Sequence, residues 1–575
     1  MHYTSALYLK MLRHLDEMSK LNHRIRYYLL VIGVGLLAAA ISVGFSLLYL
    51  GFQNFTESAI SFSMIVIFPL LLSSLLVPFL AVKYFADTKT TGSGTHNVLE
   101  AYHLSNGEVN LKDTIVKPLA SILTIGLGGS AGPEGPSLLA GGGVASAVSH
   151  RFKVQADLRR RLFIAGAAAG LAATFRTPLT AILFALEIPY KNDLDRETFI
   201  EAVVSSVPAY LVAVAVLGSQ PLFGSIGNIP LSLDEIGFSL LLGLICGLYA
   251  IFFTKTFSWT EQLAFKAKKN IGNYGLIALG AMILTISGVF SLYTIGVGLQ
   301  FVDAIVKGTA FSLAVLVVIV LLKTLTTSIT LNFGGSGGLF FPTIVVGAGI
   351  GLIFSSVFSL NYSVLFVAVG MAALLAGTHK ILLTPVAFVV ETLGGIFAIP
   401  ALLASGVSYL LSGQHSFYPL QPRTRMKTEE LALERFYVKG ETLIPEKLNA
   451  TVAEEFMTPN PTALHQGMTI WEALEMFKGT KLRVLPIADE DNHVIGVVNL
   501  EDIGYVDIYH KEISLSESVM HKPLLVGQST SLEKIAQLMM EKQEDHVFVI
   551  DWEEKLTGVI SGIDVVKKIL DLMSS

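Results

Sequence analysis

The stretch YYLLVIGVGLLAAAISVGFSLLYLGF, residues 27–52, runs without a single charge. Hydrocarbon ~30 Å thick is crossed by ~20 helical residues, so a run of this kind is built to span a bilayer. FSLAVLVVIVLLKTLTTSIT at 311–330 is a second, and similar runs recur near 60–82, 198–218, 234–254 and 274–298. With 52% apolar residues, 15% charged residues and a mean hydropathy of +0.62, the chain reads as a polytopic membrane protein rather than a large soluble enzyme. The first run is too long for a signal-peptide core and no small-residue cleavage site follows it, which makes it structural. Lys10, Arg13, Lys20, Arg24 and Arg26 precede it and predict a cytoplasmic N-terminal segment over 1–29. A net charge of −5 is too mild to call for nucleic acid. The single cysteine, Cys246, leaves no disulfide framework and no Cys-based metal site.

Near residue 420 the character changes. QPRTRMKTEELALERFYVKGETLIPEK opens a charged linker over 421–450, and an internal repeat follows it. VAEEFMTPNPTAL answers LSESVMHKPLLV, with Met457 and Met520 in step. RVLPIADEDNHVIGVVNLED answers HVFVIDWEEKLTGVISGID, pairing Gly496 with Gly558 and Asp502 with Asp564. Each unit predicts a short strand, an amphipathic helix (TIWEALEMFKG, SLEKIAQLMMEK), two apolar strands and a second helix. The expectation is two soluble α/β domains, 451–510 and 511–575, on the cytoplasmic side. This tail resembles a pair of CBS domains, in which a Gly–Ser/Thr–Asp pattern marks an adenine-nucleotide pocket and the Asp holds ribose hydroxyls. By that resemblance Ser561 and Asp564, following Gly558, would take ATP, ADP or AMP; the first unit has Asn499 in the hydroxyl position beside Asp502. The alternative is a ligand-free dimerisation module, with Asp564 serving as a helix cap.

The membrane half carries three glycine-rich breaks: TTGSGTHNVLEAY (90–102), GGSAGPEGPSLLAGGG (128–143) and NFGGSGGLFFPTIVVGAGIG (332–351). Broken segments at matching places in two halves predict an inverted repeat, here near 30–215 and 230–415, with its substrate site at mid-depth. Irregular backbone at that depth must line a cavity or lie buried in protein. Each break ends at a helix start, where free N–H groups and the positive end of the helix dipole favour an anion.

These breaks resemble the signatures of the CLC family of chloride channels and proton/chloride antiporters: GSGTH at 92–96, GPEGP at 132–136 and GLFFP at 338–342. Two departures stand out. Thr95, His96 and Asn97 replace the usual Ile/Pro-Pro-Glu, and Pro133 replaces a common Lys or Arg, removing a positive charge. The resemblance implies a polytopic α-helical inverted repeat of many tilted, broken helices over 30–420, and a homodimer with one pathway per subunit. It implies chloride held by the hydroxyls of Ser93 and Tyr418 and by backbone around Gly135, Leu339, Phe340 and Phe341. Hydroxyls and amides replace hydration without a full positive charge, so the ion can leave again. Ser93 resembles the chloride-selective members rather than those preferring nitrate or fluoride. Glu134 would be the gate, a carboxylate that occupies an anion site when ionised and leaves it when protonated; its cost in a bilayer, ~2.5–3.5 kcal/mol on insertion scales, argues for a function.

The stretch FRTPLTAILFALEIPYKND (175–193) separates channel from exchanger. It resembles the segment whose second carboxylate relays protons in most antiporters, and here that position is Ile188, preceded by Glu187. Isoleucine passes no proton, so the expectation is a passive chloride channel, with proton-coupled exchange as the alternative and Glu187 either a relay or a structural cap. A more distant reading is a nucleotide-sensing membrane protein without transport. No His-Glu-x-x-His occurs, so catalysis, a metal and an obligatory cofactor are not expected. The location expected is the plasma or inner membrane.

Overall fold

The computed structural model describes the chain except residues 1, 220–221, 224–228, 230, 425–432, 434–435, 439, 442, 479–482, 501–520, 543 and 575, and except the side chains of 2–24 and 156–157. The chain divides into two units, Met1–Arg425 and Met426–Ser575.

The first unit is helical. Among the described residues six helices are long and apolar enough to cross a membrane: Ile25–Phe62, Met64–Phe85, Arg196–Leu217, Leu233–Phe290, Leu313–Asn332 and Phe340–Val357. The runs at 234–254 and 274–298 turn out to share one long helical element, broken only at Gly272 (φ 69°, ψ 178°). The end of the second run leaves the helix and forms a short turn at Leu292–Thr294. Leu29, Leu211 and Ile286 face outward, giving an apolar exterior suited to lipid. Other apolar helices are short. Pro178–Glu187 has 10 residues, about 15 Å of helix, too little to cross alone.

Four helix pairs frame the middle of this unit: α4 (Leu111–Gly126) with α11 (Leu313–Asn332), α5 (Glu134–Arg151) with α12 (Phe340–Val357), α6 (Ala156–Phe175) with α13 (Ser363–His379), and α7 (Pro178–Glu187) with α14 (Leu383–Leu393). The pairs are related by a pseudo-twofold, visible atom by atom. The offset that takes Glu134 to Phe340 also takes Ser130 to Ser336 and Thr124 to Thr330. Ser130 donates its amide to Thr330 Oγ1 at 3.1 Å, and Ser336 donates its amide to Thr124 Oγ1 at 3.0 Å. The same exchange links hydroxyls, Ser130 with Thr327 and Ser121 with Ser336, both at 2.9 Å. On the axis itself Gly132 and Gly338 trade amide-to-carbonyl bonds of 2.9 and 2.7 Å.

Close helix packing repeats too. A Cβ at Gly141 would fall on the Gly166 carbonyl, and one at Gly347 on the Gly370 carbonyl. Small residues let the backbones of α5 and α6, and of α12 and α13, approach as membrane helices do. Both α6 and α13 end in a left-handed residue, Arg176 (φ 56°) and Lys380 (φ 58°).

The second unit follows the predicted repeat. Leu464–His465, helix Ile470–Lys478 and strands Val484–Ala488 and Val494–Asn499 form the first set. Leu525–Gly527, helix Leu532–Lys542, strands His546–Ile550 and Leu556–Ser561 and helix Gly562–Ser574 form the second. In each the first strand pairs parallel to the second, and the second pairs antiparallel to the third. The two hairpins bulge at matching places, Ile487/Ala488 and Val549/Ile550. Thr458–Pro459 from the first repeat adds an edge strand to the second repeat's sheet, and Met457 fills the space above Gly558. Met520, Asp502 and the second helix expected for the first unit fall outside the described residues.

Candidate anion site at the helix breaks

Gly128 (φ 98°) and Gly334 (φ 118°), mates under the pseudo-twofold, turn the chain out of α4 and α11 with a backbone that side chains disfavour. The loops they begin lead into α5 and α12. The third break joins them directly: Gly92 and Ser93 pair in parallel with Ser336 and Gly337. A Cβ on Gly94 would stand 2.6 Å from the Gly135 carbonyl carbon, so this contact needs glycine. All three breaks therefore meet at one buried place.

Glu134 is the first residue of α5 and is fully buried. Its Oε1 accepts the Phe340 amide of α12 at 2.5 Å, and the amides of Glu134 itself and Phe341 lie close by. Leu339 precedes these donors as the cap residue of α12. The carboxylate thus lies where the starts of two helices converge, and the dipoles of both favour negative charge there. Gly132 and Gly338 make the room, since a Cβ on either would collide with the carboxylate oxygens.

Around this seat four buried polar atoms have no hydrogen-bond partner among the described residues: Glu134 Oε2, Ser93 Oγ, Thr95 Oγ1 and the Tyr418 hydroxyl. Ser93 stands at the cap position of α3 (Gly94–Leu104), yet its hydroxyl caps nothing. Tyr418 is fully buried, and its hydroxyl, near Thr95 and Glu134, makes no hydrogen bond among the described residues. Buried polar groups are nearly always satisfied. Four orphans together mark a place shaped for a polar guest.

The departures at 95–97 acquire a local account. His96 Nε2 bonds the Phe417 carbonyl at 3.0 Å and its ring lies 5.0 Å from that of Tyr418, fixing the tyrosine. Asn97 donates to the Ser93 carbonyl at 3.3 Å and accepts the Lys117 ammonium at 2.6 Å. Thr95 adds a hydroxyl that sequence reasoning did not use. Its only signal was that it broke the pattern.

Glu187 and Ile188 lie apart from this cluster of orphans. Glu187 caps α14, accepting the amides of Leu382, Leu383 and Thr384 at 3.1, 2.8 and 2.8 Å and the Thr384 hydroxyl at 2.6 Å. Ile188 is buried, and its carbonyl accepts the Gln421 amide at 2.8 Å. In the second unit, Ser561 donates its amide and hydroxyl to Asp564 Oδ2 at 3.0 and 2.6 Å while Asp564 N approaches Ser561 Oγ at 3.3 Å. That is a capping box at the start of Gly562–Ser574.

Comparison with known proteins agrees with the geometry. The family model described as voltage gated chloride channel matches residues 73–413, and the CBS domain model matches 452–504 and 515–571. An uncharacterized protein of Methanocaldococcus jannaschii is 28% identical over 333 residues, covering 58% of this chain and 82% of its own. The H(+)/Cl(−) exchange transporter ClcA of Vibrio cholerae is 28% identical over 334 residues, covering 55% and 70%. Among solved structures, a CLC-type fluoride/proton antiporter superposes with a TM-score of 0.62 at 22% identity, over 70% of this chain and 98% of that one. A slow cyanobacterial Cl−/H+ antiporter gives 0.61 at 20% identity, over 67% and 94%. At such identities these two speak for the fold. The chain belongs to the voltage-gated chloride channel (CLC) family, an integral membrane protein carrying a tandem pair of CBS domains at its C-terminal end.

Proposed function

We propose that the protein exchanges chloride for protons across a membrane, with Glu134 as the group that both anion and proton must address. One observation carries this reading: a carboxylate occupies the converging helix starts where an anion would sit, beside unpartnered hydroxyls of Ser93 and Tyr418. Ionised, Glu134 competes with chloride for the Phe340 amide and the converging helix starts. Protonated, it loses the charge that holds it there, and the anion takes its place. Chloride entry and proton uptake then favour each other, which is the requirement for exchange.

The sequence alone favoured a channel because Ile188 cannot relay a proton. The relatives weigh the other way, since the Vibrio proteins bear the name H(+)/Cl(−) exchange transporter. An apolar residue at one position blocks a route through that position only. The passive channel remains the second reading, supported by Ile188 and by the full hydrogen bonding of Glu187. In either reading we take the working form to be a homodimer in the plasma or inner membrane, with its CBS pair cytoplasmic and open to adenine nucleotide.

Purified protein in liposomes, recorded with a chloride electrode and an external pH electrode, decides between them. A chloride gradient that drives protons uphill establishes exchange. Chloride movement with no proton movement establishes the channel.

A further inference from the structure

His379 ends α13 and is completely buried. Its Nδ1 lies 2.9 Å from the Thr378 hydroxyl, which has backbone carbonyls to donate to, Leu374 at 2.9 Å and Leu375 at 3.3 Å. A hydroxyl has one proton. With that proton given to a carbonyl, the Thr378 oxygen accepts from the ring, and on this network the imidazole hydrogen is assigned to Nδ1. The neutral ring therefore presents a bare lone pair at Nε2. That atom is buried and has no partner among the described residues.

The ring's surroundings give the lone pair a meaning. Phe417 and Tyr418 lie 5.4 and 5.5 Å away between ring centres, Phe340 6.2 Å and Phe184 6.4 Å. Phe340 supplies the amide that holds Glu134, and Tyr418 carries the orphan hydroxyl near it. On the other side, the Gln421 amide ties the His379 carbonyl (3.0 Å) to the Ile188 carbonyl (2.8 Å). His379 thus adjoins Ile188 through Gln421 and, by its ring, the residues beside Glu134, Phe340 and Tyr418.

Packing does not require an imidazole here. The pseudo-twofold mate of His379 is Phe175, which lies against Phe340 at 5.3 Å and Phe341 at 4.8 Å. Nor does the neutral ring suit chloride, because a lone pair repels an anion. A proton on Nε2 changes both facts at once: the atom becomes a donor and the ring a cation.

We infer that His379 is a second proton-carrying group of the protein, accepting at Nε2 the proton that Ile188 cannot hold and passing it toward Glu134. This rests on the exchange reading above. In the transfer a hydronium ion gives up one O–H bond as Nε2–H forms and becomes water; Nε2–H then breaks as the Glu134 O–H forms, and the ring keeps its Nδ1 hydrogen throughout. The titratable groups near it are Tyr418, with His96 and Glu134 beyond that ring. Glu187 is engaged at the start of α14, and Lys380 bonds the Tyr409 carbonyl and the Ser412 hydroxyl at 2.6 and 3.0 Å.

The test compares the wild type with His379→Phe and His379→Gln in liposomes, reading protons moved per chloride. The expected result is a ratio lowered about tenfold or more while chloride movement persists, the scale on which a positioned acid–base group acts. Gln keeps a donor for Thr378 and serves where Phe gives no transport. A wild-type ratio in either variant overturns the inference and leaves exchange intact. Loss of chloride and proton movement together in both variants assigns the residue to packing and overturns it as well. Chloride movement without protons in the wild type removes the exchange reading, and this inference with it.

Discussion

Glu187 and Glu391 stand at mirrored positions, and each caps the helix that carries the other. Glu187, at the end of α7, binds the first amides of α14. Glu391, near the end of α14, binds the amides of Leu179 and Thr180 at 3.0 and 2.8 Å and the Thr180 hydroxyl at 2.6 Å. Neither short helix has a side-chain cap at its own cap residue, and a carboxylate from the opposite repeat takes that place.

Reciprocal caps should be lost with similar cost. Glu187→Ala and Glu391→Ala each remove a hydrogen-bonded carboxylate from a helix start, worth about 1.5–3 kcal/mol for bonds to a charged group. Both variants should melt earlier in detergent, followed by intrinsic fluorescence or by the onset of aggregation. Proton coupling in liposomes should survive in whatever fraction of Glu187→Ala remains folded. A stable Glu187→Ala protein without proton movement would return Glu187 to the relay.

If Glu134 is the gate, removing its charge should free the anion path. Glu134→Gln has no charge to hold it at the helix starts, and Glu134→Ala leaves the seat to chloride. Both should conduct constitutively and lose pH dependence, whereas wild-type flux should rise as pH falls and the carboxylate takes up a proton. Gly338→Ala probes the same seat from the opposite loop, because its Cβ would collide with Oε1. It should weaken the pH dependence with Glu134 still present. Wild-type pH dependence in Glu134→Gln would take the gate away from this residue.

Selectivity should follow Ser93. Its unpartnered hydroxyl offers one donor to the anion, and Ser93→Pro removes that donor from the cluster. Relative uptake should shift from chloride toward nitrate. Unchanged selectivity would leave the choice of anion to Tyr418, Thr95 and the amides.

Nucleotide binding should follow Asp564. Calorimetry on the whole 575-residue chain should give heat with ATP, ADP or AMP, and Asp564→Ala should remove it. The capping box makes a control necessary, since losing the cap alone costs about 1 kcal/mol of helix stability. Ser561→Ala disrupts that cap and keeps the carboxylate, so it should retain more affinity than Asp564→Ala. No heat from the wild type would make the tail a module without ligand.

The apolar runs, the three breaks and the tandem tail could all be read in the chain, because each is a local pattern of composition or spacing. So could the meeting of the breaks, since matched Gly-rich loops in two halves imply a shared site. What could not be read was side-chain partnership across the pseudo-twofold. Nothing local to Glu187 says that its partners are amides in the other repeat, and nothing local to His379 says which of its nitrogens is free. Thr95 and His96 looked like mere departures until Tyr418 was placed beside them. The channel expectation rested on Ile188 alone, whereas the Vibrio relatives bear the name of exchange transporters.

The exchanged caps also bear on how the molecule is made. Leu179 waits for a carboxylate 212 residues further along the chain. At about 5–20 residues per second, the ribosome needs roughly 10–40 seconds to deliver it. Through that interval the first repeat is synthesised but its short helix has open amides that lipid cannot satisfy. The nascent half must meet those amides with water or other acceptors until its mirror image supplies Glu391.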